Sequence, residues 1–281
     1  MTLILNILKS VLYGLIQGIT EFLPISSEAH FALMTSFLPL NVMDDLTLNM
    51  AFRGFYASVI PLGCAAAVLF VYGKRLNPFQ KNIDENRKSS IMRLWLMLGA
   101  ASLPGAVLGF FLNRYLHRVL SSTYIIVISL VIFGGLILWI ENRKEKPSVN
   151  TAGQISVGHA FILGCAQVLA MIPGVSRAAA VMSCGRLQKI SPSAIAEFYM
   201  FMSVPAIIGG CILALIQMET AGGFAGILVI LTGIAGAFVS AVIMIRIIMQ
   251  YLKKYDMRLL GFYRIALALA VLISVLTGVI A

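Results

Sequence analysis

Apolar runs long enough to cross a lipid bilayer fill most of this 281-residue chain, and nothing else constrains its fold as much. A spanning helix needs about 20 apolar residues. Six stretches reach that length: roughly 50–73, 91–111, 122–140, 193–217, 223–249 and 260–280. Two further apolar stretches, 3–38 and 155–187, are interrupted. Charged residues make up 11% of the chain, against about 25% in a soluble domain, which excludes a soluble enzyme and a disordered segment. The runs are too long for a membrane β-barrel, whose strands alternate over about 10 residues. The fold class is therefore an all-α polytopic membrane protein, one membrane domain over residues 1–281.

The interruptions are informative. The first reads Glu21-Phe22-Leu23-Pro24-Ile25-Ser26-Ser27-Glu28, the second Met171-Ile172-Pro173-Gly174-Val175-Ser176-Arg177. Proline and glycine break the helical hydrogen-bond ladder. In lipid, the freed backbone groups are tolerated only against protein or a water-filled cavity. Each segment is therefore expected to be a re-entrant helix hairpin that enters and leaves on one side, giving six transmembrane helices plus two hairpins.

The distribution of positive charge agrees. Lys74, Arg75, Lys81, Arg87, Lys88 and Arg93 cluster in 74–93, Arg143, Lys144 and Lys146 in 141–154, Arg186 and Lys189 after the second hairpin, and Lys253, Lys254 and Arg258 before the last run. These loops should be cytoplasmic. The alternate loops are poor in Lys and Arg, and Arg114 and Arg118 there read as headgroup anchors. Both termini then lie outside, the first hairpin enters from outside, and the second from the cytoplasm. The net charge of +10 is thus a matter of topology and anionic lipid and does not call for nucleic acid. Lys9 interrupts the first apolar run and no small-residue cleavage site follows, so the N-terminus does not read as a signal peptide.

Hairpins from opposite sides imply an inverted repeat, with halves 1–140 and 155–281. At an offset of 150 residues Gly14, Gln17 and Ser26 recur as Gly164, Gln167 and Ser176, and Ile25 as Val175. Such broken helices in matching places point to a site near the midplane.

Ionisable residues inside a membrane cost about 2.5–3.5 kcal/mol each on insertion scales, so they pair or they work. Glu21, Glu28, His30 and Arg177 lie at the two breaks; Arg53, Glu197 and Arg264 lie in or near spans. If the breaks meet, Arg177 faces Glu21, Ser26, Ser27 and His30. A guanidinium beside hydroxyls suits a phosphate, and helix starts after each break favour an anion. A serine near a histidine can act as nucleophile, or the histidine can accept a phosphoryl group; a carboxylate can hold a divalent cation. Blander readings stand beside these. Glu21 with Arg177 could be a structural salt bridge, the serines could be helix caps, Glu28 could pair with Arg53, and Glu197 with Arg264. Tyr251, Tyr255, Phe262 and Tyr263 look like an interfacial belt. Gly99-Ala100-Ala101 through Gly109, and Gly233 to Ala237, read as helix-packing seams. Cys64, Cys165, Cys184 and Cys211 lie in apolar stretches without metal spacing and read as packing residues. Walker, Gly-x-Ser-x-Gly and His-Glu-x-x-His motifs are absent.

The run Gln17-Gly18-Ile19-Thr20-Glu21-Phe22-Leu23-Pro24-Ile25-Ser26-Ser27-Glu28-Ala29-His30 and the run Pro173-Gly174-Val175-Ser176-Arg177 together resemble the two signatures of the bacterial undecaprenyl-diphosphatase family of the bacitracin-resistance type. Glu197 to Ala206 and Phe262-Tyr263-Arg264 are also similar, so the resemblance covers essentially the whole chain. It implies a plasma-membrane phosphatase that converts undecaprenyl diphosphate to undecaprenyl phosphate, the lipid carrier for envelope polymers, with a site open to the outer face and a divalent cation, Mg²⁺ or Ca²⁺. By that resemblance Glu21 binds metal or works in acid–base chemistry, Ser27 and His30 are nucleophile and base in either order, and Ser26, Ser176, Arg177 and Gln17 hold the diphosphate. The partners implied are a polyprenyl diphosphate and membrane lipids, with a homodimer left open. The chain departs from the family pattern at Gln17, often Glu; at Glu28-Ala29, usually Thr-Gly; at Ala178 and Val181, usually Ser and Thr; and near Ala57, usually acidic. Loss of those hydroxyls, with the inverted repeat, keeps a second reading open, a transporter or flippase of a phosphorylated polyprenyl lipid.

Overall fold

The computed structural model describes the backbone of residues 2–81, 83–119, 122–143 and 145–279, and their side chains except for residues 2, 110 and 112–119. Arg114, Arg118 and Lys144, assigned above to headgroup contact and to a cytoplasmic loop, have side chains outside the described residues. Eleven α-helices are found among those residues: α1 Thr2–Thr20, α2 Ser27–Phe37, α3 Leu46–Val59, α4 Leu62–Leu76, α5 Glu85–Val119, α6 Thr123–Asn142, α7 Val157–Val168, α8 Arg177–Leu187, α9 Pro192–Ile216, α10 Gly223–Leu252 and α11 Arg258–Leu276. A lone bridge joins Val149 and Ile190; no strand forms among the described residues.

Seven helical segments are long and apolar enough to cross a membrane. Six coincide with the six expected spans. The seventh, Leu3–Thr20, is the first arm of the 3–38 segment, which is therefore long enough to cross by itself. The expected span at 50–73 is two helices, α3 and α4, bent at Ile60-Pro61 because Pro61 has no N–H to continue the ladder. Pro104 and Pro205, by contrast, sit inside α5 and α9.

Both interrupted segments fold back on themselves. Asn6 Nδ2 donates to the Asn41 carbonyl at 2.6 Å, Lys9 Nζ to that of Pro39 at 2.8 Å, and the Tyr13 hydroxyl to that of Leu38 at 3.2 Å. Positions running up α1 thus meet positions running down the segment after the break, an antiparallel hairpin. In the second segment the N–H groups of Ser148 and Val149 donate to the Lys189 carbonyl at 2.9 and 3.2 Å, and Ser191 N–H returns to Val149 at 2.8 Å. The ends that flank α7 and α8 are thereby tied together.

Helix α1 lies along α10, α7 along α5, and α6 along α11. Small residues set the first two contacts. A Cβ on Gly14 would stand 2.2 Å from the Gly233 carbonyl oxygen of α10, and one on Gly164 2.2 Å from that of Ala101 in α5. Backbones this close associate through van der Waals contact, the main attraction available between helices in lipid. Ala101 and Gly233 are thus packing positions as expected. Gly105 packs against Gln167 of α7 and also lines a cavity, and Gly109 lines that cavity with nothing packed on it. Around α8 and α9 a core closes with Ala179, Met182, Phe198 and Phe201. The cysteines are free, Cys64 and Cys211 buried.

The expected pair of Glu197 with Arg264 does not form. Glu197 lies one turn into α9 and is bridged by Arg75 from the basic last turn of α4. Another bridge, buried on both sides, joins Arg186 at the end of α8 to Glu141 at the end of α6, with contacts of 3.0 and 3.2 Å. Arg264 has other work at the two breaks.

Candidate active site

Each break ends on a serine in a conformation that L-residues avoid. Ser26 has φ 70° and Ser176 φ 68°, a strain of order 1 kcal/mol or more. Both serines cap the following helix, as the sequence suggested. Ser26 Oγ accepts from Ala29 N–H at 3.2 Å, and Ser176 Oγ from Ala179 N–H at 3.4 Å.

Arg264 holds the strained turns. It is fully buried and its guanidinium donates to the carbonyls of Pro24 at 3.1 Å, Gly174 at 2.9 Å, Val175 at 3.2 Å and Ser129 at 3.3 Å. Breaking a helix leaves carbonyls without helical N–H partners, and here a cation supplies donors to both breaks at once. Two more contacts cross between them. Arg177 Nη2 donates to Glu21 Oε1 at 2.7 Å, and Gly174 N–H to Glu28 Oε2 at 3.0 Å. The idea that the two breaks meet is therefore realised.

Glu21 is buried and both its oxygens are occupied, Oε1 by Arg177 and Oε2 by Gln17 Nε2 at 2.6 Å, while the Tyr199 hydroxyl donates to its carbonyl at 3.2 Å. Arg177 retains 29% side-chain exposure, because its other side opens into a cavity of about 640 Å³. Glu28, Ser58, Ser102 and Gln167 also reach this cavity, among the small walls of α5 and α9. Ala57, near which the resemblance led us to expect an acidic residue, lines it too, and the cavity's carboxylate is Glu28.

The remaining candidates sit elsewhere. Ser27 is the first residue of α2, half-buried, and its hydroxyl has no partner among the described residues. His30 Nδ1 lies 2.7 Å from the Ser26 carbonyl and Nε2 2.7 Å from the Tyr263 hydroxyl. Since a carbonyl only accepts, Nδ1 carries the proton and Nε2 accepts from Tyr263. The ring stacks on Tyr263 at 5.7 Å and borders a separate apolar cavity of about 630 Å³ with Ile19, Leu23 and Phe262. Tyr263 is exposed, as are Phe262 and Tyr255 of the expected interfacial belt, and is in addition tied to a break through His30. Arg53, weighed as a partner for Glu28, donates to the Leu40 carbonyl and to Asn41.

The arrangement can take a phosphate on Arg177 within a membrane-embedded bundle. Comparison with known proteins decides the family. The bacitracin resistance protein BacA family matches residues 10–270. The chain belongs to the BacA family. It is 35% identical over 276 residues to the undecaprenyl-diphosphatase of Enterococcus faecalis, covering 96% of this chain and 97% of that protein. It is 36% identical to the undecaprenyl-diphosphatase of a Streptococcus thermophilus strain, over 96% and 93% of the two chains, and 33% identical to undecaprenyl-diphosphatase 1 of Clostridioides difficile, over 96% of each. It is a multi-pass bacterial membrane protein. Ala178 and Val181, where the resemblance led us to expect hydroxyl residues, are both fully buried in the main core. They face protein and do not line the cavity.

Among the described residues no group of three or more His, Cys, Asp and Glu could hold a metal by itself. The cavity offers Glu28, one of whose oxygens accepts from Gly174 N–H. One carboxylate plus substrate phosphate oxygens is the usual way Mg²⁺ is held, so the donor set fits a cation that arrives with its phosphates. Glu21, assigned above as a metal ligand, has both oxygens in hydrogen bonds.

Proposed function

We propose that this BacA-family chain hydrolyses undecaprenyl diphosphate to undecaprenyl phosphate and inorganic phosphate in the bacterial plasma membrane, with the site open to the outer face. The observation that carries it is Arg177, held by buried Glu21 yet facing a cavity inside an apolar bundle. Relatives similar over nearly the whole chain, named undecaprenyl-diphosphatases, supply the substrate.

In this reading Arg177 binds phosphate oxygens in two parallel hydrogen bonds. Glu21, oriented by Gln17, fixes the guanidinium. Ser26, fully buried, shapes the first turn, and Ser176, half-buried, shapes the second and keeps a hydroxyl hydrogen that can donate to phosphate. Ser27 is the nucleophile. Its uncommitted hydroxyl at the first turn of α2 forms a bond to the terminal phosphorus as the P–O–P bond breaks and the lipid phosphate leaves; water then releases inorganic phosphate. His30 is the base only after its ring leaves Tyr263 and turns toward Ser27, since in the structure it borders the second cavity. A divalent cation, Mg²⁺ or Ca²⁺, held by Glu28 and the phosphates, neutralises phosphate charge when bound.

The reading includes an inverted repeat of residues 1–140 and 155–281 with two re-entrant hairpins. Three features support it: the matched strained caps Ser26 and Ser176, the matched contact glycines Gly14 and Gly164, and the packing of α1 on α10 alongside that of α7 on α5.

Purified protein reconstituted in liposomes is expected to release inorganic phosphate from undecaprenyl or farnesyl diphosphate with Mg²⁺ or Ca²⁺. No release from either lipid under those conditions refutes the enzyme reading, and labelled lipid crossing the bilayer intact would favour transport instead.

A further inference from the structure

A buried polar group lining the same cavity has no role in the chemistry above. Gln167, at the end of α7, is only 7% exposed and reaches the cavity that holds Arg177. Its Oε1 is sealed from solvent and has no hydrogen-bond partner among the described residues. Its Nε2 has none there either, and is the amide atom left open to the cavity. Leaving a buried amide unpaired is destabilising, and such a group calls for a specific explanation, a bound ligand among them. The space around it is kept clear by glycine: a Cβ on Gly105 would stand 3.0 Å from Nε2.

The partner at the matched position shows what such an amide does when it is occupied. Gln17, 150 residues earlier, donates from Nε2 to a carboxylate oxygen of Glu21 at 2.6 Å. In the second half Met171 stands where Glu21 does in the first, so Gln167 has the same amide and no anion. Arg177, across the break, draws an anion into the cavity. An N–H donor next to that guanidinium meets an oxyanion.

We propose that Gln167 is a substrate-binding residue whose carboxamide N–H donates to the phosphate oxygens of the lipid diphosphate held by Arg177. This rests on the cavity being the diphosphate site. It makes the headgroup grip bipartite, a charge from the start of α8 and a neutral donor from the end of α7.

The test measures binding of a non-hydrolysable probe, a methylene-bridged farnesyl diphosphate, to detergent-purified full-length protein, with thermal unfolding of the ligand-free forms alongside. Gln167→Leu removes the donor at nearly constant shape. Its Kd is expected to rise about tenfold, and its ligand-free Tm to hold or rise because an unpaired buried amide has gone. Gln167→Glu puts a carboxylate beside the phosphates and is expected to weaken binding further, with or without Mg²⁺. A wild-type Kd for Gln167→Leu, alongside lost binding in Arg177→Met, removes this role and leaves the cavity reading intact. Tighter Mg²⁺-dependent binding in Gln167→Glu would make residue 167 a cation ligand and overturn the proposal. Failure of the unmodified protein to bind the probe overturns both readings.

Discussion

Arg177→Met loses phosphate release on the order of 10³-fold in kcat/KM, because it removes the anion clamp and strands a buried carboxylate. Removing one charge-stabilising donor from an active site typically costs about 10²–10³-fold in rate, and taking one partner from a buried ion pair costs about 3–5 kcal/mol of stability. Glu21 is buried and would keep only its Gln17 hydrogen bond, so the ligand-free Tm falls as well. A purely structural salt bridge predicts that loss too, and the double variant Glu21→Gln/Arg177→Met separates the cases. It is expected to regain most of the stability and none of the activity; recovery of both would make the pair structural only. Arg177→Lys keeps the charge without the planar fork and is expected to fall between, with KM raised more than kcat is lowered.

Arg264→Met is expected to have the larger effect on stability. The side chain reaches four carbonyls from three segments, and each hydrogen bond from a charged donor is worth about 1.5–3 kcal/mol. No carboxylate accompanies it, so its buried charge is balanced by backbone dipoles and by the face of Phe133 at 5.9 Å. Losing it leaves carbonyls of both breaks unpaired and frees Ser26 and Ser176 to leave their strained conformation. A Tm drop on the order of 10 °C or more in detergent follows, with activity lost at temperatures where the variant remains helical. Retention of wild-type Tm and activity would mean that the breaks are held by Glu21, Glu28 and the caps alone. Arg264→Lys, with a single compact ammonium, should restore only part of the loss.

These two arginines differ in how far the sequence betrays them. Arg177 stands next to Ser176 in a break whose Pro173 and Gly174 announce an interrupted helix, and a membrane charge of that kind needs an anion; Glu21 at the other break was the natural candidate. The Gly14/Gly164 and Ser26/Ser176 register pointed to equivalent positions, and they do share packing and backbone conformation. Arg264 offered no such clue, since backbone carbonyls are acceptors in every residue and leave no mark in the letters. It was assigned to Glu197, a plausible opposite charge that α4 had already claimed through Arg75. His30 was placed beside Ser27 by proximity in the chain, whereas its Nε2 partner is Tyr263, 233 residues away. Gln167 is marked in the letters only by its register with Gln17, because an uncharged amide in an apolar run reads as tolerable polarity; only the cavity beside it exposes the missing partner. The glycines of α5 likewise read as a packing seam, since a helix face of small residues looks the same whether it meets another helix or an opening.

The central claim is that two helix breaks build one anion pocket at Arg177. An experimental structure of the protein with methylene-bridged farnesyl diphosphate tests it most directly. The account predicts both phosphorus atoms in the cavity bounded by Arg177, Glu28 and Gln167, with the Arg177–Glu21 contact retained. Phosphates lodged instead in the apolar cavity beside His30 and Tyr263, or outside the bundle with Arg177 turned away from them, would contradict it.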